Sequence, residues 1–371
     1  MRKTWTNWTT PMLLVVCGLM ATACDTNTID ADDDGGVTPG SALVVDEHLR
    51  LVNVDVAEFV DEDVYKDKYT FNYDAQGRLV RMYESYDDEQ NGIKFSYQSG
   101  NNKFTFFEDT DDVVEGYVSY TQQGYVKSAT ATYSLAGNSW KDSGSFTIKF
   151  NYDANGHLTK TIGSYQTIGY EIYDGEKYDW NESAKGESTF QWANDVLEKV
   201  YSTYEETDKE DDYTEIEKWV CNVTYYYNKN YTNHYKQCSQ SFVYPLSIAS
   251  EYFSFFIPTA FVGMLGKGSA KLPSTIEAKW VEIEKEISDG DTYEDSDSWT
   301  DEYDLEYVFN GNGTIALEEV NGVDFVYNYA NSTSPYAVAR QSAPSKELQQ
   351  PMHRQERRAR TLRHVLKQMM Q

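Results

Sequence analysis

The sequence predicts an all-β fold, a long antiparallel up-and-down meander curled into a barrel-like or strongly bent sheet with one short apolar helical plug. Three observations predict it: a Tyr-Asp-x-x-Gly turn written twice, alternation of apolar and polar residues, and a composition of 31 Tyr and 16 Phe with only 8 Pro. The stretch Phe71-Asn72-Tyr73-Asp74-Ala75-Gln76-Gly77-Arg78-Leu79 returns as Phe150-Asn151-Tyr152-Asp153-Ala154-Asn155-Gly156-His157-Leu158. In a type I turn an Asp or Asn at the first position bonds the backbone two residues on, and Gly at the fourth takes φ > 0, closing a hairpin with a bulge. Asp74 and Gly77, and Asp153 and Gly156, hold those positions. Tyr69, Phe71 and Tyr73 alternate with Lys68, Thr70 and Asn72, and Ile148, Phe150 and Tyr152 alternate with Thr147, Lys149 and Asn151. Period two is the signature of half-buried strands, and aromatic side chains suit a pleated surface.

In chain order, residues 1–23 read as a lipoprotein signal peptide. Arg2 and Lys3 precede the apolar run Pro11 to Met20, which is too short for a lasting transmembrane helix. The run ends in Leu19-Met20-Ala21-Thr22-Ala23-Cys24, which resembles the lipobox of bacterial lipoproteins. That resemblance implies a diacylated Cys24 at the mature N-terminus and an acyl anchor in a membrane. Residues 24–42 carry Asp30, Asp32, Asp33 and Asp34 with Gly35-Gly36 and Pro39-Gly40, and read as a flexible acidic tether. The acidic run also resembles the surface-export signal of Bacteroidetes lipoproteins, and an ordinary solvated linker is the other reading.

A single β domain is expected over 43–339, and 340–371 forms a basic, helix-permissive or disordered tail. That tail carries eight of the 32 basic residues and only two of the 60 acids, so 24–339 is left with 22 basic against 58 acidic residues. Such a surface repels phosphates, which argues against nucleic-acid partners.

The turn recurs in weaker form at Tyr120 to Val126 and at Phe309 to Ile315, where Asn310 and Gly313 take the turn positions, and more degenerate versions are read at Tyr97 to Phe104 and Trp192 to Leu197. Between these turns lie acidic stretches, at Asp87 to Gly92, Glu108 to Asp112, Asp174 to Glu187, Glu205 to Asp212 and Ser288 to Glu302, which are expected as long loops gathered at the opposite end of the sheet. Phe242 to Leu265 is strongly apolar but broken by Pro245, Glu251 and Pro258, which suits a plug inside a curled sheet better than a bilayer span. Thr275 to Ile287 is read as a strand with a bulge near Trp280 and Val281, from the alternation of Ile276, Ala278 and Trp280; the helical spacing of Ile276, Trp280, Ile283 and Ile287 is the alternative.

Two cysteines remain after the signal and the lipidated residue. In an exported chain Cys221 and Cys238 are expected to pair, since a two-residue hairpin at Lys229-Asn230 would place them opposite one another; two buried free thiols are the alternative.

The motif Tyr-Asp-x-x-Gly-x-Leu, at Tyr73 to Leu79 and Tyr152 to Leu158, is similar to the YD repeat of Rhs-type proteins, although those repeats run in dense tandem. A closer resemblance is to Bacteroidetes surface lipoproteins with an uncharacterised porin-like domain: the lipobox, scattered Tyr-Asp-x-x-Gly hairpins, and an apolar segment followed by Gly266-Lys267-Gly268-Ser269-Ala270-Lys271-Leu272-Pro273. It spans roughly 43–339 and implies a curled antiparallel sheet at the outer membrane or cell surface. It brings no catalytic residues.

No phosphate loop, dinucleotide fingerprint or nucleophile elbow is present, and no cofactor is expected. His48, His157 and His234 lie far apart, so no zinc site is read; His157 occupies the variable turn position held by Arg78 and is expected to be solvated. Asp289, Asp291, Asp295 and Asp297 lack the order of ligands of a calcium loop, and no metal is expected. Trp140, Trp180 and Trp299, with Tyr178 and Tyr293, sit among acidic residues and are candidate contacts for a glycan, peptide or partner protein; the alternative is that they cap the open end of the sheet as core. A non-enzymatic, lipid-anchored envelope protein is the leading reading. A surface glycosidase using paired carboxylates and an integral outer-membrane barrel are the alternatives.

Overall fold

The computed structural model describes residues 40–60, 63–86, 89–98, 101–108, 111–136, 139–173, 176–210, 213–248, 256–288 and 291–330. The signal peptide, Cys24, most of the tether and the tail at 340–371 lie outside the described residues.

Among the described residues sixteen strands close into one antiparallel barrel. They are β1 (Leu51–Val60), β2 (Asp63–Tyr73), β3 (Leu79–Tyr86), β4 (Glu89–Ser96), β5 (Lys103–Glu108), β6 (Asp111–Tyr120), β7 (Val126–Ala136), β8 (Trp140–Tyr152), β9 (Leu158–Tyr173), β10 (Glu176–Ala193), β11 (Val196–Glu210), β12 (Tyr213–Tyr226), β15 (Thr275–Ser288), β16 (Asp291–Phe309), β17 (Ile315–Val320) and β18 (Val323–Tyr329). Order follows the chain, with β12 paired to β15 and β18 closing on β1. Two short strands, β13 (Tyr231–Thr232) and β14 (Lys271–Leu272), pair separately.

The tight turns gather at one end because alternate connections of a meander do so. Asp74 Oδ1 accepts the amides of Gln76 (3.0 Å) and Arg78 (2.9 Å), and Gly77 stands at φ 81°. Asp153 Oδ1 does the same for Asn155 and His157, with Gly156 at φ 86°, and Gly313 closes the Asn310 turn at φ 87°. The register slips by one beside each turn, at Asn72/Tyr73, Asn151/Tyr152 and Val308/Phe309, which is the bulge that turn chemistry demands.

The helical plug is α1 (Gln240–Ile248) and a 3-10 turn at Ile257–Val262; the residues between, 249–255, lie outside the described set. Phe256 packs against Phe95, Phe104 and Phe106, and Phe261 against Tyr69, Phe71 and Tyr327. Phe242 of α1 packs on Phe190 and Trp192 across the barrel. A segment that touches β2, β4, β5, β10 and β18 occupies the lumen. Glu318 of β17, buried completely, fixes the start of α1: its carboxylate accepts the amides of Gln240 (2.7 Å) and Ser241 (3.0 Å) and the Tyr327 hydroxyl (2.7 Å). These bonds serve the helix's otherwise orphaned N-terminal donors.

Several expectations are corrected. The acidic stretches are not long loops: 176–187, 205–210 and 291–302 are strand, and consecutive strands there are separated by two residues. Backbone pairing with both neighbours overrides the weak strand preference of Asp and Glu. β15 runs in unbroken register through Trp280 and Val281, without a bulge. The Cys221–Cys238 disulfide is not formed: both thiols are free and buried. The hairpin that would have paired them does not exist, because β12 pairs with β15, Cys221 faces Trp280, and Tyr231 pairs with Leu272. Residues 40–42, assigned to the tether, already belong to the body, since Ala42 is buried and Leu43 bonds Gly124 (2.9 Å).

Candidate functional site: an acid-lined inner face

Wall height varies round the barrel. β5 and β17 have six residues and β18 seven, whereas β10 has eighteen and β16 nineteen. The tall strands therefore rise past the low rim and expose the upper part of their inner face. Only Leu305–Phe309 of β16 pair with β17; above them, Asn321 of the β17–β18 turn bonds Asp304 and Glu302.

Inward positions follow by alternation from Cys221, Ser188, Ser202 and Trp280, which pair across the wall and are all buried. Two residues higher, Tyr204, Trp219, Glu282 and Asp297 form a row; then Glu206, Glu217, Glu284 and Asp295; then Glu182, Asp208, Glu215 and Glu286. Like charges facing across a strand pair repel, and each of these rows sets acid beside acid. None of the described inward positions of β10, β11, β12, β15 and β16 carries Lys or Arg. The lysines stand on the outer face, where Lys185 meets Glu205 (2.8 Å) and Lys160 meets Glu187 (2.8 Å).

The floor of this face is aromatic. Trp280 stacks on Trp299 (centroids 5.8 Å, 10°) and meets Trp219 edge-on (6.4 Å, 83°). Trp299 Nε1 donates to Asp301 Oδ2 at 3.3 Å. Burial holds the carboxyls of Asp208, Glu215 and Asp301 above the ordinary carboxylate range, because removal from water disfavours the charged form.

A second cluster stands on β8–β10. Asp142, fully buried, takes the Thr167 hydroxyl on Oδ1 and lies beside the Tyr133 hydroxyl, which also meets Thr167 and Tyr165. Burial pushes this carboxyl up as well. Asp142 pairs with Gly169, and a side chain at 169 would collide with the Trp180 ring, so the missing Cβ gives the indole its seat.

The structure places the candidate contacts on strands rather than in loops, and in two groups. Trp140 and Tyr178 share a row with Glu171 between them, and Trp180 lies in the next row. Trp299 and Tyr293 stand on β16, Trp299 in the indole stack and Tyr293, 59% exposed, opposite Glu286. Sequence reasoning missed Trp219 and Trp280, although their alternation with Glu217 and Glu282 was there to be read once those stretches were treated as strand.

His157 is a further correction. It is buried, stacks on Trp192 (4.4 Å, 15°) and lies 3.0 Å from Asp153 Oδ2 through Nδ1 and 3.5 Å from Asp195 through Nε2. Arg78 repeats the arrangement in the first turn, bonding Asp74 (2.7 Å) with its guanidinium 4.5 Å above the Tyr97 ring. Among the described residues no cluster of His, Cys, Asp and Glu has the geometry of a metal site.

No protein-family model matches the chain, and no curated protein matches it. Among solved structures, a porin-like protein from Bacteroides vulgatus is 14% identical with a TM-score of 0.38, covering 76% of this chain and 99% of that one. A porin-like protein from Bacteroides uniformis is 15% identical with a TM-score of 0.42, covering 78% and 99%. The description belongs to those two proteins, and at such values the activity of this chain rests on its own geometry.

Proposed function

We propose that this is a non-enzymatic, lipid-anchored envelope protein, held by an acyl group on Cys24 at the outer membrane, whose acid-lined inner face binds a cationic polypeptide. The observation that carries the reading is the set of facing carboxylate rows above the Trp219–Trp280–Trp299 floor, with no inward cation on the described strands beside them. A guanidinium satisfies both halves of such a surface, since it takes a carboxylate bidentately and stacks on an indole. Among partners first considered, a basic peptide or protein segment is favoured over a neutral glycan, which brings no positive charge to the rows of acids.

The outer face speaks for a peripheral rather than a bilayer-spanning barrel. A lipid-facing strand needs an apolar outward set, whereas β8 presents Lys141, Ser143, Ser145, Thr147, Lys149 and Asn151, and β16 presents Thr292, Glu294, Ser296, Ser298, Thr300 and Glu302. Cys24→Ser is expected to abolish labelling by a palmitate analogue and to release the protein from membranes; retention in carbonate-washed membranes without the acyl group would restore the integral-barrel reading.

The ligand class is tested by calorimetry with a nona-arginine peptide, a nona-glutamate peptide and a neutral oligosaccharide. Nona-arginine is expected to bind tightest, with affinity falling steeply with salt, and the double variant Glu217→Gln/Glu284→Gln to lose about tenfold or more. A preference for the oligosaccharide, or binding indifferent to both substitutions, would overturn the proposal.

A further inference from the structure

We infer that the flank of β16 above Leu305 takes an extended cationic segment of a partner polypeptide as an added antiparallel strand. The inference deepens the cationic-polypeptide reading by naming its binding mode, and it rests on that reading.

The register shows which backbone groups are on offer. In an antiparallel ladder every second residue turns both its N–H and its C=O toward a given neighbour. Leu305 donates its amide to the Ser274 carbonyl just before β15 (2.9 Å), so the odd-numbered residues of β16 serve the β15 side. Asp304 faces the other way: its carbonyl accepts the Asn321 amide (3.2 Å) and its amide donates to Asn321 Oδ1 (2.8 Å). The Glu302 carbonyl agrees, since it accepts from Asn321 Nδ2 at 3.1 Å. Alternation then turns the amides and carbonyls of Thr292, Glu294, Ser296, Ser298 and Thr300 to the same flank, where no strand pairs with them among the described residues.

Two of these amides show how the edge is served in the absence of a neighbour. Ser296 donates to Asp295 Oδ1 (2.8 Å) and Ser298 to Asp297 Oδ1 (2.7 Å), each N–H falling back on the side chain of the residue before it. The ordinary partner at such a position is a carbonyl of the adjoining strand. The two capping carboxylates belong to the inner side, where Asp295 is paired with Glu284 and Asp297 with Glu282, and no Lys or Arg lies between residues 291 and 309. A strand that brings a cation to each aspartate draws the carboxylate off the amide and supplies the carbonyl that replaces it. A neutral strand supplies only the carbonyl, so charge decides which chains the edge accepts.

The same geometry specifies the ligand. The added strand lies on the flank that β17 occupies lower down and runs antiparallel to β16, as β17 does. Its residues opposite Ser296 and Ser298 turn N–H and C=O to β16. Those opposite Asp295 and Asp297 turn theirs away and carry their side chains on the inner face. The chemistry recognised is therefore Lys or Arg at every second position, on residues whose own backbone bonds nothing in β16.

The test uses the full-length protein and an alternating Arg/Thr nonapeptide, unmodified, N-methylated at its threonines, or N-methylated at its arginines. By calorimetry the threonine-methylated form is expected to bind at least about tenfold more weakly than the unmodified peptide, and the arginine-methylated form within about threefold of it. A loss in the arginine-methylated form as large or larger, or no loss in either, overturns the added strand and leaves the cationic reading in place. Failure of all three forms to bind overturns it too, and failure of nona-arginine as well takes the cationic reading with it. Asp295→Asn/Asp297→Asn keeps an oxygen beside each serine amide while removing the charge, and is expected to weaken the unmodified peptide about tenfold; unchanged affinity contradicts the inference. In hydrogen exchange, the amides of Ser296, Ser298 and Thr300 are expected to exchange fast in the protein alone and at least about tenfold more slowly with the peptide bound. Protection already present in the protein alone would mean that the flank is occupied, and would overturn the inference.

Discussion

At the scale of single residues, the stability of the turn end depends on a device that the two copies of the turn share. The residue after the glycine bonds the turn aspartate and stands over an aromatic ring from elsewhere in the chain, Arg78 over Tyr97 just past β4 and His157 on Trp192 of β10. Removing it takes away a charge-assisted bond and a stacked ring together. His157→Ala is accordingly expected to cost about 1–3 kcal/mol of unfolding free energy, read in urea, with the Trp192 emission shifting as the indole loses its cover. An unchanged midpoint would show that the stack contributes nothing. The turn aspartates and glycines were legible in the sequence because a four-residue bend is local chemistry. The burial of His157 was not, since the ring that covers it is 35 positions away and arrives only through the β9–β10 pairing.

Among elements, the plug decides whether the barrel has a core at all. Phe256 is 1% exposed and wedged edge-on against Phe95, Phe104 and Phe106. Phe256→Ala is expected to destabilise by about 3–5 kcal/mol in denaturant titration, and Phe256→Leu by less, because the smaller void is partly refilled. The plug was readable from its broken apolarity, and the strands from their alternation. The acidic stretches were misread because Asp and Glu are poor strand formers on their own; what keeps them extended is the ladder on either side, which only the register reveals. The disulfide failed for the same reason: it assumed that β12 returns through an adjacent hairpin, whereas the chain first passes through the plug and comes back as β15.

For the whole molecule, the dominant electrostatic fact is crowding of carboxylates. Burial raises the folded-state pKa of Asp142, Asp208, Glu215, Asp301 and Glu318. A raised carboxyl contributes stability that is fully present below its unfolded value and is lost as pH rises through its folded value. Asp74 and Asp195 shift the other way, and their contribution changes only below the ordinary carboxylate range. The raised set therefore weakens the fold as pH rises above the ordinary carboxylate range, and Tm is expected to fall by at least about 3 °C on going upward from about pH 4. A Tm that rises with pH would contradict the burial of these groups, and Asp208→Asn with Glu215→Gln is expected to flatten the profile.

Among the described residues, the flank of β16 above Leu305 has no strand partner on the β17 side, and that has one more consequence. An open strand edge is ordinarily an invitation to fibre formation, since any extended chain can zip onto it. Here Asp291, Glu294, Asp295, Asp297, Asp301 and Glu302 lie along that edge, so two copies brought side by side would meet as mutually repelling combs. Neighbouring molecules can thus be packed densely without polymerising, while the same flank stays available to a strand of opposite charge.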